Sequence, residues 1–157
     1  MAMYSEAISD RKERKMKMQI QLKMRSVLEA DDERSETELL TDGIMEIKNG
    51  LPIISYEDSD ATGFEGATTT ITADENKLVS IVRSGSANSN LVIETGKKHY
   101  CLYGTPYGSI TVGIFTHKIE NSLSENGGSL YLKYTIDVNS AYMSDNEIYL
   151  DVLAAKS

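Results

Sequence analysis

Residues 16–24 read Met-Lys-Met-Gln-Ile-Gln-Leu-Lys-Met, an unbroken alternation of apolar and polar side chains. Successive side chains of an extended chain point to opposite sides, so this spacing predicts a β-strand with one dry face and one wet face. A helix would spread the same residues around its whole circumference. The apolar side chains that share the dry face are Met16, Met18, Ile20, Leu22 and Met24.

Turn signals separate further segments of the same kind. Asn49-Gly50 is typical of a two-residue hairpin, because both residues tolerate the positive φ of a type I′ turn. A strand is predicted after it, from Leu51 to about Glu57. Gly43 interrupts the preceding apolar segment and predicts a bulge or a sharp bend.

Short strands with tight connections continue to the C-terminal end, where Leu130–Val138 alternates cleanly again. Consecutive hairpins favour an up-and-down meander, and such a sheet leaves two open edges unless it closes. We therefore predict an all-β fold, a single antiparallel up-and-down β-barrel of about 8–10 strands. A two-sheet sandwich is the second architecture that fits the pattern.

The chain of 157 residues suits one domain with one core. Residues 1–14 are set apart by their polar composition, and we expect a short helix or a disordered tail there. Residues 15–157 then form the barrel domain. The single cysteine, Cys101, permits a reducing compartment, and we see no signal peptide or membrane span in the sequence. The predicted location is the cytoplasm.

The charge balance argues against nucleic acid as a partner. Lysine and arginine number 16 and acidic residues 24, which gives a formal net charge of −8. A surface of this sign repels phosphate backbones. Basic residues nevertheless cluster near the start of the chain. The cluster is either the solvent-exposed face of the first strand or a docking strip for an anionic partner. The strip consists of Arg11, Lys12, Arg14, Lys15, Lys17, Lys23 and Arg25.

Several short segments, in order and at characteristic spacing, suggest a family. They are Ser55-Tyr56-Glu57, Thr68 to Ile71, Arg83-Ser84-Gly85, Tyr103 to Gly108, Thr116, and Tyr134 with Ile136. From about Leu22 to Val152 the chain resembles the bacterial YwiB-like proteins, a domain-of-unknown-function family with a calycin-like β-barrel. The resemblance implies a small intracellular barrel of the broad lipocalin and fatty-acid-binding type, without an established ligand or activity. Lipocalin binding residues are not carried over, because the chain has no tryptophan for the Gly-x-Trp signature.

Arg83 is the charged residue of most interest. It follows Val79 and Ile81 on the same strand face, so its side chain is expected at the barrel interior or rim. A guanidinium there could form a bidentate contact with a ligand carboxylate or phosphate. It could equally close the barrel end by bonding carbonyl oxygens or packing on an aromatic ring.

Tyrosines are the second candidate group for a binding site. Tyr56, Tyr103, Tyr107 and Tyr134 lie in the family-like segments, and Tyr134 shares the apolar face of its strand. A buried tyrosine hydroxyl needs a partner, which could be a ligand, a backbone carbonyl or a buried water. Thr105 to Gly108 is also explained by a turn, with proline at its second position.

Metal and cofactor sites are not predicted. His99, Cys101 and His117 could supply zinc ligands only with a further acidic donor, and exposed strand positions explain them as well. The segment Asp58-x-Asp60-x-Thr62-Gly63 opens like a calcium loop, but its twelfth residue is Thr69 instead of glutamate. We interpret it as an acidic connection.

Catalytic residues are not predicted either. Ser84 and Ser109 neighbour glycines but lie outside any Gly-x-Ser-x-Gly elbow. An enzyme acting at the barrel mouth is the weaker alternative and would need His99 or His117 beside a carboxylate in a pocket.

The leading hypothesis is a non-catalytic binder of a small amphipathic or acidic ligand, with Arg83 and tyrosine hydroxyls orienting its polar head. The alternative is a structural or protein-interaction barrel filled by its own side chains. The oligomeric state stays open, a homodimer included. In the leading hypothesis the wall is supplied by Met16, Met18, Leu22, Leu132 and Tyr134.

Overall fold

Ten antiparallel strands make up the protein in a computed structural model that describes residues 16–59, 63–105 and 108–154. The predicted tail of residues 1–14 lies outside the described residues, as does the predicted domain boundary at residue 15. Among the residues that the structure describes, no helix is long and apolar enough to cross a membrane. The strands are β1 (Met16–Ala30), β2 (Glu33–Lys48), β3 (Leu51–Glu57), β4 (Ala67–Asp74), β5 (Leu78–Gly85), β6 (Ser89–Glu94), β7 (Lys98–Thr105), β8 (Gly108–Asn121), β9 (Gly127–Val138) and β10 (Ala141–Ala154).

The sheet closes into a barrel. Each strand pairs with its neighbours in sequence, and β1 pairs with β10 to join the two ends. The longest ladder runs along β1 and β2, from Met16 opposite Ile47 to Ala30 opposite Glu33. The predicted all-β, up-and-down antiparallel barrel is therefore confirmed, and the sandwich is excluded.

The first strand has the predicted orientation over its central part. Ile20 and Leu22 are each 1% exposed, and Met18 and Met24 pack against the core from half-buried positions. Met16 is exposed, because the strand begins beyond the packed interior. The predicted apolar face of β1 therefore points toward the core, except at its first residue.

The predicted hairpin at Asn49-Gly50 is confirmed, with φ values of 53° and 80°. The bulge expected at Gly43 is wrong, because the β1–β2 ladder passes through the Ile20–Gly43 pair without a shift. The glycine is instead needed for close packing. A Cβ atom there would lie 2.8 Å from the carbonyl oxygen of Ser55 and 3.1 Å from Leu22.

Apolar side chains from all ten strands fill the barrel interior. Among the described residues, the largest side chains that are less than 2% exposed are nearly all aliphatic. Packing of this density stabilises the fold mainly by removing apolar surface from water. The buried cluster includes Ile20, Leu22, Met45, Ile54, Ile71, Val79, Ile93, Ile114, Leu130, Leu132 and Leu150.

One seam of the barrel has few backbone hydrogen bonds. Between the described parts of β6 and β7 the ladder contains one residue pair, Asn90 with Leu102. The sulfur of Cys101 accepts the backbone N–H of Val92 at 3.3 Å, in place of a carbonyl. Gly96, after β6, donates its N–H to the carbonyl of Thr116 on β8.

Leu22→Ala tests whether this residue belongs to a solid core. Leu22 is 1% exposed, so truncation should lower the free energy of unfolding by about 2–5 kcal/mol in urea denaturation. Leu40→Ala, at a position 78% exposed, is the control and should change it by less than about 0.5 kcal/mol. Similar small losses for both variants would show that the interior is not tightly packed around Leu22.

Candidate binding site at the mouth of the barrel

A row of polar side chains lies on the inner surface at one end of the barrel. Strand pairing sets Tyr56 beside Thr69, Thr69 beside Arg83, and Arg83 beside Ser89. The alternation of β3 to β6 turns all four inward, where Tyr56, Thr69 and Ser89 are buried. The next inward row on the same strands is apolar. It consists of Ile54, Ile71, Ile81 and Leu91.

A buried carboxylate lies over the polar row. Asp58 follows the end of β3, and its side chain is 0% exposed. The hydroxyl of Thr69 donates to Oδ2 of Asp58 at 2.6 Å, and Nε of Arg83 donates to the same oxygen at 3.3 Å. Arg83 Nε is also 3.2 Å from Thr69 Oγ1. A buried charge is costly unless it is paired, so these contacts account for the position of Asp58.

The loop after β3 packs on the other side of Arg83. Its guanidinium carbon lies 3.8 Å from the centre of the Phe64 ring, within the range of a cation–π contact. The backbone N–H of Asp58 bonds to the carbonyl of Ala67, and the N–H of Ala67 bonds to the carbonyl of Phe64. Arg83 is thus held between a carboxylate and an aromatic ring.

The environment of Tyr56 favours its neutral form. Burial raises the pKa of its hydroxyl above the ordinary value, and the nearby carboxylate of Asp58 raises it further. The guanidinium of Arg83 and the hydroxyl of Thr69 partly offset this effect on the pKa. Tyr56 is therefore a hydroxyl donor at neutral pH within this cluster.

A groove opens beside the cluster. The β2–β3 ladder ends at Ile44 and Ser55, and no further described residue pair joins the two strands. The space between them has a volume of about 790 Å³. Its walls combine three apolar and three acidic side chains with smaller polar ones. These six are Ile20, Ile44, Tyr56, Asp42, Glu57 and Asp58.

The predicted site residues are only partly brought together. Arg83 and Tyr56 lie together in the cluster at the barrel mouth. Tyr134 is buried on β9, and Tyr103 lies near enough to affect the pKa of its hydroxyl. Burial raises the pKa of Tyr134 well above its ordinary value, and the charge interaction with Tyr103 adds to this rise. Tyr103 is half-buried on β7. Tyr107 lies outside the described residues.

Tyr134 belongs to a second polar row inside the barrel. Its neighbours across the ladders are Asn146 on β10 and Thr116 on β8. Asn146 donates to the hydroxyl of Ser144 at 2.9 Å. Oγ1 of Thr116 is fully buried and has no hydrogen-bond partner among the described residues.

The potential metal ligands have other partners. His99 Nε2 lies 2.8 Å from Glu94, and His117 Nε2 lies 2.7 Å from the hydroxyl of Thr135. Within the described ranges, no three His, Cys, Asp or Glu side chains come close enough to hold a metal ion. The calcium-like segment cannot be followed through, because residues 60–62 lie outside these ranges.

Sequence reasoning missed the roles of Asp58, Thr69 and Phe64. The sequence indicates only an acidic connection at Asp58, although the position of this residue directly after a strand is compatible with a buried carboxylate at the strand end. The parity of Ala67, Thr69 and Ile71 does indicate that Thr69 points inward. No local pattern links Phe64 to Arg83.

Comparisons with known proteins agree with this architecture. The model of a family described as "Domain of unknown function (DUF1934)" matches residues 20–150. The chain belongs to this family. In sequence this DUF1934 chain is 27% identical over 125 residues to the uncharacterized beta-barrel protein YwiB of Bacillus subtilis (strain 168), covering 79% of this chain and 85% of the relative.

A solved structure shows the same fold. The crystal structure of the ywiB protein from Bacillus subtilis superimposes with a TM-score of 0.79 at 21% sequence identity. The match covers 89% of this DUF1934 chain and 94% of the solved one. The family resemblance expected from the sequence is thereby confirmed, and the family is one of unknown function.

Asp58→Ala tests the buried ion pair. The substitution leaves Arg83, whose side chain is 17% exposed, without its carboxylate, so the free energy of unfolding should fall by about 3 kcal/mol. Lys17→Ala removes an ion pair with Glu46 in which the lysine is 64% exposed, and it should cost less than about 1 kcal/mol. Equal losses in urea denaturation would contradict a structural role for Asp58.

Tyr56→Phe tests the pKa of the mouth tyrosine. The folded-state pKa is raised above the ordinary value of 10.0, so the stability associated with the neutral hydroxyl is complete below pH 10.0 and is lost as the pH rises through the folded pKa. The difference in unfolding free energy between wild type and Tyr56→Phe should be constant below pH 10.0 and shift against wild type above it. A difference that stays constant across this range would contradict the raised pKa.

Proposed function

We propose that this chain is a non-catalytic binding protein that takes a small amphipathic carboxylate at the mouth of the barrel. The carboxylate head would bind Arg83 and Tyr56, and the apolar part would lie in the groove between β2 and β3. No step of chemistry on the ligand is required. We also propose a cytoplasmic location, which suits the single cysteine, Cys101, as a free and buried thiol.

The orientation of Arg83 carries the proposal. The hydrogen bonds of Arg83 to Asp58 and Thr69 both come from Nε, and its guanidinium also lies near enough to Tyr56 to lower the pKa of that hydroxyl. We take the two terminal Nη groups as the donors to the ligand carboxylate. Two parallel N–H groups match the two oxygens of a carboxylate. Because Asp58 and Phe64 already hold the guanidinium, binding a ligand costs little further ordering of this side chain.

The groove supports an apolar tail of modest size. Ile20, Ile44 and Tyr56 supply its apolar wall, and Tyr56 connects it to the polar row. The packed core argues against a tail inside the barrel, because Leu22 and Leu132 are each 1% exposed. The tail is therefore proposed at the groove instead of along the strand interiors.

The acidic wall restricts the head group. Asp42 and Glu57 are exposed at the groove, and their charges repel anions over a distance of about 8 Å at physiological salt. A single carboxylate can reach Arg83 against this repulsion more easily than a multiply charged phosphate. We therefore favour a monocarboxylate over a phosphorylated ligand.

The packed core also favours a second candidate, an interaction barrel without a small ligand. Its proposed working surface, the basic strip, is described only from residue 16 onward. There, Lys17 pairs with Glu46 and Arg25 with Glu36, which reduces the charge available to a partner. Catalysis stays the weaker alternative, with His117 in a shallow outer groove beside Glu29 and Glu147.

Thermal shift with decanoate tests the binding proposal, with decanol as the uncharged probe of equal length. At a decanoate concentration 100 times its Kd, the free energy of unfolding should rise by about 2.7 kcal/mol, a Tm increase of roughly 5–10 °C. Arg83→Lys keeps the charge but loses the bidentate geometry, so decanoate affinity should fall about 10-fold. Decanol should give a smaller shift and be insensitive to this substitution.

Arg34→Lys is the matched control, because Arg34 lies in ion pairs of the exposed β1–β2 hairpin. It should bind decanoate as wild type does. Melting of both variants without probe shows whether the substitutions alter folding. The proposal is refuted if decanoate neither raises the Tm of wild type nor appears as an adduct in native mass spectrometry. It is also refuted if Arg83→Lys and Arg34→Lys bind decanoate with equal affinity. Either result would favour the interaction barrel.

A further inference from the structure

The described outer surface of the barrel includes a region without charged side chains. It covers the outward positions of β3 to β7, where small polar, β-branched and aromatic residues alternate with the inward core positions. We name this region the uncharged face. Its residues are Ile53, Ser55, Thr68, Thr70, Thr72, Ser80, Val82, Ser84, Asn90, Val92, Tyr100 and Leu102.

Strand register makes these residues a continuous surface. Ser55, Thr70, Val82, Asn90 and Leu102 are successive neighbours across five strands. The three large apolar side chains at the β5–β7 side of this surface are prominent. Tyr100 is 71% exposed, Leu102 48% and Val82 37%.

Charges are concentrated elsewhere on the described surface. On β1 and β2, Arg25 bonds to Glu36, and Arg34 bonds to both Glu29 and Glu36. The uncharged face is bounded by Glu57 at the mouth end, and by Glu94 with Lys98 at the other end. The described surface therefore carries ion pairs on the β1–β2 side of the barrel and uncharged side chains on the β3–β7 side.

We infer that the uncharged face is the interface of a homodimer. Two copies that each carry a net charge of −8 repel one another wherever charged surfaces meet. The screening length is about 8 Å at physiological salt, so contact through a face without charges avoids most of this repulsion. A partner recruited by opposite charge would instead bind the charged side of the barrel.

The surface suits a second copy in shape and size. Two sheets pack face to face about 10 Å apart, with side chains of the alternating rows interdigitating. Five strands about 4.8 Å apart and three rows about 6.8 Å apart give at most roughly 500 Å² per copy, because the face curves around half of the ten-strand barrel. The total of at most about 1,000 Å² is small for a specific interface and predicts a weak, reversible dimer. Tyr100 supplies an aromatic anchor.

The β6–β7 seam supports the same assignment. Its one described residue pair, Asn90 with Leu102, lies within the uncharged face. A second copy over this pair would exclude water from the shortest ladder among the described strands. The backbone amides of β6 and β7 should therefore exchange hydrogen more slowly in the dimer than in the monomer.

Sedimentation equilibrium of the full chain tests the interface. Wild type should dimerise with a roughly micromolar Kd. In an isologous dimer Val82→Glu adds a charge to each side of the contact, and it should weaken association at least about 10-fold. Leu40→Glu is the matched control, since it adds the same charge at an exposed strand position outside the uncharged face, and it should dimerise as wild type does.

Thermal unfolding of both variants separates loss of association from loss of folding, and Thr70→Glu provides a second variant if Val82→Glu melts early. Wild type that stays monomeric at all concentrations refutes the inference. A dimer that Val82→Glu or Thr70→Glu weakens no more than Leu40→Glu also refutes it, because the interface would then lie elsewhere. Ser55 and Thr68 belong to both the uncharged face and the groove, but Val82 does not line the groove, so the Val82→Glu readout is independent of the ligand proposal.

Discussion

Hydrogen bonding along both edges of β1 is the constraint on which the barrel depends. Its residues pair with β2 from Met16 to Ala30 and with β10 from Ile20 to Glu29. Without the second ladder the chain would be an open ten-stranded sheet with an exposed apolar surface. Closure turns that surface inward, and Ile20 and Leu22 then contribute to one core with strands from distant parts of the sequence.

The candidate site arises where this regular closure ends. The β2–β3 ladder stops at Ile44 and Ser55, although Gly43 still lies close to Ser55 and Tyr56. The apolar filling gives way there to Thr69 and Arg83, whose charge is compensated by Asp58. The groove therefore lies beside the end of the β2–β3 ladder, and the guanidinium is restrained by Asp58 and Phe64.

Period-two alternation and turn chemistry were sufficient to predict the class of fold, because both act between residues close in sequence. The hairpin at Asn49-Gly50 and the inward face around Leu22 are examples. The pairing of Arg83 with Asp58 was not predictable, because the two residues are 25 positions apart and meet only through strand register. Leu39 and Leu40 show the same limit, since sequence alone does not decide which is buried and which exposed.

The Cys101 sulfur at the β6–β7 seam has a consequence for misfolding. A thiol sulfur is a weaker acceptor than a carbonyl, so strands joined there separate with less loss of bonding than other neighbours. Separation would convert β6 and β7 into free edge strands with unpaired backbone groups. Their outward side chains Asn90, Val92 and Leu102 carry no charge to deter intermolecular strand pairing. Amyloid-like aggregation would thus begin at the β6–β7 seam.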